Sequence, residues 1–217
     1  GLRAILKITP KKEVSCVCPS YRGRPLGGPN DLVFDSQGNL YFTDAAYESL
    51  GNFAKMNPPL RTDEDRAALW EALAVGVIDA IATDHAPHTK KEKMQNYWKA
   101  PAGVPGVETM LPLLLDSVNN GEMSLEDVAA FTAENPARIL GLKSKGKIKV
   151  GMDADLVIID MNKRQKVGAK GYFSKCGWSP FEGLELLGWP VATIVGGEVI
   201  FEKGKITAAG AGTEVVF

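Results

Sequence analysis

The sequence predicts an α/β protein flanked by two β-rich segments, on three observations. A short apolar run, Ile78-Asp79-Ala80-Ile81-Ala82-Thr83, lies between stretches with helical spacing, the pattern of a buried parallel strand set among helices. Before residue 48 and after Gly141 the texture changes to short β-prone runs separated by Gly- and Asp-containing turns.

Taken in order, Leu32-Val33-Phe34-Asp35 and Leu40-Tyr41-Phe42-Thr43-Asp44 form a hairpin about Ser36-Gln37-Gly38-Asn39. Thr62-Asp63-Glu64-Asp65 opens a helix, with Thr62 as N-cap and acidic groups near the positive end of the dipole. Ala67, Leu69, Trp70, Leu73 and Ala74 supply its apolar positions, and Gly76 stops it. A second helix is expected from about residue 108 to 118. Ser124 with Asp127 caps a third, running to about Ala133, and Asn135-Pro136 restarts a short fourth with Asn as cap. Leu156-Val157-Ile158-Ile159 reads as a strand. Val191-Ala192-Thr193-Ile194-Val195 and Glu198-Val199-Ile200-Phe201 form a hairpin across Gly196-Gly197. Asp153 and Asp155 serve turns.

The net charge of −1 gives no electrostatic case for nucleic acid or an anionic membrane. No apolar run approaches the roughly 20 residues that span a bilayer. The start, Gly1-Leu2-Arg3-Ala4, does not read as a signal peptide. Cys16, Cys18 and Cys176 form neither a metal-type pair nor a disulfide framework, so a cytoplasmic location is expected. Cys176 has no base to activate it. Trp178, Phe181 and Trp189 read as packing residues, and Lys90, Lys91 and Lys93 as a solvated basic loop.

The two histidines, His85 and His88, both fall in Thr83-Asp84-His85-Ala86-Pro87-His88, where the apolar run ends. In barrels of alternating strands and helices, catalytic groups gather at the C-terminal ends of strands. A carboxylate with imidazoles there suits metal binding or proton transfer. From spacing alone, a capped turn with exposed histidines explains the same residues.

Asn52-Phe53-Ala54-Lys55-Met56-Asn57-Pro58-Pro59-Leu60-Arg61 followed by the Thr83–His88 motif resembles the dihydroorotase signature. Pro101-Ala102-Gly103-Val104-Pro105-Gly106-Val107-Glu108-Thr109 resembles that family too. Glu134-Asn135-Pro136-Ala137-Arg138 and Gly151-Met152-Asp153-Ala154-Asp155-Leu156-Val157 recur across the wider amidohydrolase superfamily. The resemblance covers residues 52–206. It implies a partial TIM-type (β/α) barrel, its last strands and helices, with a C-terminal β subdomain. The implied division is 1–49, a β-hairpin segment; 50–142, barrel; and 143–217, β subdomain.

The resemblance further implies the interconversion of dihydroorotate and carbamoyl-aspartate, a step of pyrimidine biosynthesis, at a binuclear zinc centre. Asp84 would bind the more buried metal, take the proton of a bridging hydroxide and return it to the leaving amide nitrogen. Asn57 and His88 would hydrogen-bond the substrate, and the Ala102-Gly103 backbone would contact its ring. His88, if cationic, suits a substrate carboxylate; Asn57 also suits a turn before Pro58-Pro59. His85 is assigned to packing behind the site. Allantoinases and hydantoinases are the nearest competing families.

Members of the family have an early His-x-His, a bridging carbamylated Lys or Asp, and two further histidines. No histidine precedes position 85 here, so Asp84 is left as the lone ligand and the zinc site is expected to be incomplete. The expected partners are the small-molecule substrate and a second copy or a complete partner subunit; an inactive barrel remnant serving as a structural partner is the alternative. Separately, residues 5–47 resemble one blade of a gluconolactonase or senescence-marker-type propeller, in which Asn30 would match a divalent-metal ligand. A lone blade cannot close a propeller, and in that context Asn30 reads as a turn residue after Gly27-Gly28-Pro29.

Overall fold

The computed structural model describes residues 50–57, 60, 63–207 and 212–215, together with the backbone of the early strands. Its chain forms two compact units. One comprises residues 1–68 and 86–104, the other residues 69–85 and 105–217. These units cut the chain differently from the division drawn on resemblance.

In the first unit the early strands pair as antiparallel hairpins. β1 (Ile5–Ile8) pairs with β2 (Val14–Cys18), β3 (Ser20–Tyr21) with β4 (Arg24–Pro25), and β5 (Pro29–Phe34) with β6 (Leu40–Asp44). The β5–β6 register, Phe34 opposite Leu40, agrees with the expected hairpin, whose turn lies outside the described residues. The side chain of Asn30 lies outside them as well, as do Thr62 and Pro58-Pro59. A 3-10 turn at Gly51–Ala54 follows, with Ala54 buried. Helix α2 (Lys90–Lys93) is one turn long, and a capping box explains its existence. Thr89 Oγ1 accepts from the Glu92 backbone N–H at 3.3 Å, and the Glu92 carboxylate accepts from the Thr89 N–H at 2.7 Å.

Helix α1 (Asp63–Ala74) ends as expected before Gly76. Its apolar stripe is not covered: none of its described side chains is buried, and Leu69 is 57% exposed. The expected strand at residues 78–83 is not a strand. Ile81 N–H donates to Phe131 O at 3.1 Å, but among the described residues nothing pairs with the segment as a neighbouring strand. An apolar run becomes a strand only when a ladder satisfies its backbone.

The second unit is organised around helix α3 (Met110–Asn119) and an antiparallel sheet ordered β10-β9-β8-β7. The strands are β7 (Leu156–Lys166), β8 (Glu185–Val195), β9 (Glu198–Glu202) and β10 (Lys205–Ile206). The hairpin across Gly196-Gly197 has Val195 opposite Glu198. The core includes Leu114, Leu115, Val128, Trp178 and Leu186. Gly188, at φ 104°, lies so close to α3 that a Cβ there would meet Leu115 Cβ at 2.7 Å. Side chains weld the same face. Asp116 accepts from the Leu187 N–H at 2.7 Å, and Asn119 Nδ2 donates to Leu187 O and Met161 O.

The Ser124–Asp127 capping box opens α4 (Leu125–Ala129) as expected. The fourth helix does not restart at Asn135. The chain continues through a π turn, Ala130–Glu134, directly into α5 (Asn135–Ile139). Pro136 has no N–H to give residue 132, and its ring would strike that carbonyl in a regular α-helix; a widened turn relieves both. Asn135 Nδ2 is therefore not a cap and donates to Asp79 O, while Arg138 pairs with the Asp79 carboxylate at 2.7 Å. Asp153 and Asp155 serve turns as expected: Lys145 bridges both, and Asp155 also accepts from the Gly196 N–H.

Candidate functional site

The unit boundary falls inside the Asp84–His88 motif, between His85 and Ala86. Each side has its own geometry.

On the second unit's side, Asp84 is exposed and has a φ of 41°. Aspartate is among the few non-glycine residues found in the left-handed region. His85 Nδ1 accepts from the backbone N–H groups of Gly106 and Val107 at 3.1 and 3.3 Å. A nitrogen that accepts cannot carry the ring proton, so this geometry fixes the Nε2–H tautomer. The bonds tie the end of the apolar run to the turn that leads into α3. His85 also lines a cavity of about 10 Å³, room for a single water, with Glu108, Tyr172 and Trp178. Glu108 accepts from the Phe173 and Ser174 N–H groups at 3.0 and 2.6 Å. Burial first, and Glu182 second, push the Tyr172 phenol up to about 12. The Cys176 thiol lies 3.3 Å from the Ser174 hydroxyl oxygen and donates to Trp178 O at 3.6 Å.

On the first unit's side, three of the residues assigned to substrate come together. His88 Nε2 lies 3.1 Å from Ala102 O. Gly103 is buried at φ 128°, and a Cβ there would sit 2.8 Å from both Ala86 Cβ and Ala86 O and 3.2 Å from His88 Nε2. The Ala86 N–H donates to Val104 O, and the Gly103 N–H donates to Lys55 O. Asn57, the fourth, is exposed two residues beyond Lys55.

Two residues that sequence reasoning passed over anchor this cluster. Lys93, expected in a solvated loop, is fully buried while Lys90 and Lys91 on the same turn are exposed. The correction has a simple cause: the Lys93 ammonium finds backbone carbonyls within reach that satisfy it away from water. Lys93 Nζ donates to the carbonyls of Lys55, Pro101 and Gly103 at 2.9, 3.1 and 2.9 Å. Burial, and secondarily the charge of Lys55, lower its pKa to about 8. Lys55 Nζ donates to Tyr97 O and Ala100 O and lies 4.4 Å from the Tyr97 ring centroid. Spacing carried no signal for either lysine, because their partners are backbone atoms.

Among the described residues, no three His, Cys, Asp or Glu side chains form a group able to hold a metal ion. A single carboxylate at position 84 does not fit a binuclear zinc centre. Among the described residues no helix is long and apolar enough to cross a membrane.

A model of the amidohydrolase family matches residues 39–200. Dihydroorotase from Halobacterium salinarum is 46% identical over 170 residues, which are 78% of this chain and 40% of that protein. Dihydroorotase from Methanosarcina mazei is 44% identical over 172 residues, 78% of this chain and 38% of that protein. Among solved structures, the L-hydantoinase of Arthrobacter aurescens is 40% identical with a TM-score of 0.70, covering 75% of this chain and 37% of that one. A D-hydantoinase is 29% identical with a TM-score of 0.65, covering 72% and 35%. The chain thus spans about two fifths of the length of the dihydroorotases it matches. The matched proteins lend nothing to the propeller-blade reading of residues 5–47.

Proposed function

Because this chain belongs to the amidohydrolase family, we propose that it is a dihydroorotase-type segment that binds dihydroorotate or carbamoyl-aspartate but lacks a complete catalytic centre of its own. The observation that carries this reading is the contact of His88 with Ala102 beside Gly103. Positions assigned to one substrate from separate stretches of sequence are neighbours in one unit. His88 would take a substrate carboxylate by a charge-assisted hydrogen bond, the Ala102-Gly103 backbone would contact the ring, and Asn57 would add a polar contact. Asp84 is the proposed proton-carrying carboxylate and zinc ligand, within a partial TIM-type barrel of residues 50–142 followed by a β subdomain. Whole-length turnover then requires ligands that these residues do not supply, from a complete partner subunit, in a cytoplasmic setting.

Titration of the chain with N-carbamoyl-L-aspartate tests this reading, alongside a measurement of zinc per chain. Binding is expected to weaken by about tenfold or more in His88→Ala, the loss of a hydrogen bond to a charged group being worth about 1.5–3 kcal/mol. Hydantoin, which has no carboxylate, should bind without sensing that change. An unchanged carbamoyl-aspartate affinity sinks the substrate assignment. Zinc bound as a pair, with turnover by the isolated chain, sinks the claim of incompleteness.

Two observations favour other readings. The likeness to L-hydantoinase favours a hydantoinase-type substrate, which the hydantoin titration separates. Exposed apolar side chains, among them Val77, Ile148 and Val150, favour a structural partner without activity.

A further inference from the structure

We propose that Lys93 is a positioning residue for substrate: its buried ammonium, clamped by the carbonyls of Lys55, Pro101 and Gly103, holds the 101–103 backbone in the shape that His88 and the substrate read. The assignment of substrate to Ala102 and Gly103 rests on the function proposed above; the clamp itself does not.

An ammonium has three N–H donors and no acceptor, and here all three meet backbone oxygens. No side-chain carboxylate is among these partners. Lys55 completes the device from the other direction. Its carbonyl accepts from both Lys93 Nζ and the Gly103 N–H, and its ammonium donates to the carbonyls of Tyr97 and Ala100. The segment from residue 97 to 103 is therefore stitched at four carbonyls by two lysines, with only Ala102 O of the last three left to face His88.

Among the described residues Lys55 lies close enough to act on Lys93, and its own ammonium stands over the Tyr97 ring. Lys90, Lys91 and Glu92 share its helix but are exposed. Burial and Lys55 bring its titration to about 8. On losing a proton the amine keeps two donors and turns a lone pair toward the third carbonyl. One strand of the clamp is released, so the positioned backbone loosens as pH rises through that value. By linkage, a ligand that needs the ordered backbone raises the lysine's affinity for its proton.

The test uses the full chain, Lys93→Met and Lys93→Gln, with N-carbamoyl-L-aspartate as probe. Methionine fills the space with no donor; glutamine keeps two. In Lys93→Met, hydrogen-exchange protection of the Gly103 and Ala86 amides is expected to fall about tenfold or more, with helix α3 unaffected, and probe binding to weaken by about tenfold. Lys93→Gln should recover part of both. Wild-type affinity should decline between about pH 7 and about pH 9, and the Lys93→Met profile should be flat over that range. Unchanged protection in Lys93→Met overturns the clamp. Probe binding that ignores Lys93→Met, or a flat wild-type profile, overturns the positioning role. If Lys93→Met does not fold, Lys93→Gln and the wild-type profile decide by the same criteria. Reduced protection in a chain that never binds the probe sinks the substrate reading and supports the clamp.

Discussion

Replacing Gly103 with alanine is expected to destabilise the first unit by about 2–4 kcal/mol, from two partly overlapping sources. The backbone sits at φ 128°, a conformation that costs an L-residue on the order of 1–3 kcal/mol. The new Cβ would also stand 2.8 Å from Ala86 Cβ and from Ala86 O, both close to the backbone and unable to swing aside. Overpacking of that kind costs about 1–3 kcal/mol. Partial relaxation of one relieves the other, which places the sum below the combined maximum. Gly121→Ala is the control: Gly121 also has a positive φ, 75°, but nothing lies within 4 Å of its would-be Cβ. It should lose only the left-handed penalty, about 1–2 kcal/mol. Urea unfolding followed by a probe in each unit measures both, with the midpoint shift taken at constant slope. A Gly103→Ala loss no larger than that of Gly121→Ala would refute the reasoning, since it would mean that residues 86 and 103 do not approach as described.

Two other outcomes follow from the hydrogen bonds. His85→Ala leaves the Gly106 and Val107 N–H groups without their acceptor, which should cost about 1–3 kcal/mol in thermal unfolding; His85→Asn, whose amide oxygen can reach the same place, should recover much of it, and equal losses for both would reject the acceptor role. At the start of α4, the Ser124 hydroxyl first and its backbone N–H second hold the Asp127 carboxyl below the ordinary aspartate range. A folded value depressed below the unfolded one gives stability that is complete above the ordinary aspartate value and lost as pH falls through the folded value. Ser124→Ala should therefore cost about 1 kcal/mol near neutral pH, and the gap from wild type should narrow in acid; a gap independent of pH counts against the box.

The features legible in sequence were those whose partners lie nearby in the chain. Ser124 with Asp127 and the Gly196-Gly197 hairpin are local, and both appear. Residues 78–83 failed as a strand because strand identity belongs to a pair, and hydrophobicity alone does not supply the partner. Asn135 failed as a cap because Pro136 imposes a wider turn whose geometry no residue pattern announces. For the candidate site, resemblance pointed to His88, Ala102 and Gly103, which do meet. Lys55 and Lys93 stayed hidden because main-chain carbonyls, present at every position, leave no trace in a sequence.

The join between α3 and β8 bears on how this polypeptide acquires its structure. Asp116 and Asn119 exchange hydrogen bonds with residues some 70 positions later, and Gly188 lets the two backbones touch. A ribosome would have to deliver Leu187 before the helix that precedes it by so many residues could seat its last turn. Early release at residue 142 would leave Leu115 facing water, a feature that chaperones and proteases recognise, so this half of the molecule matures late and all at once.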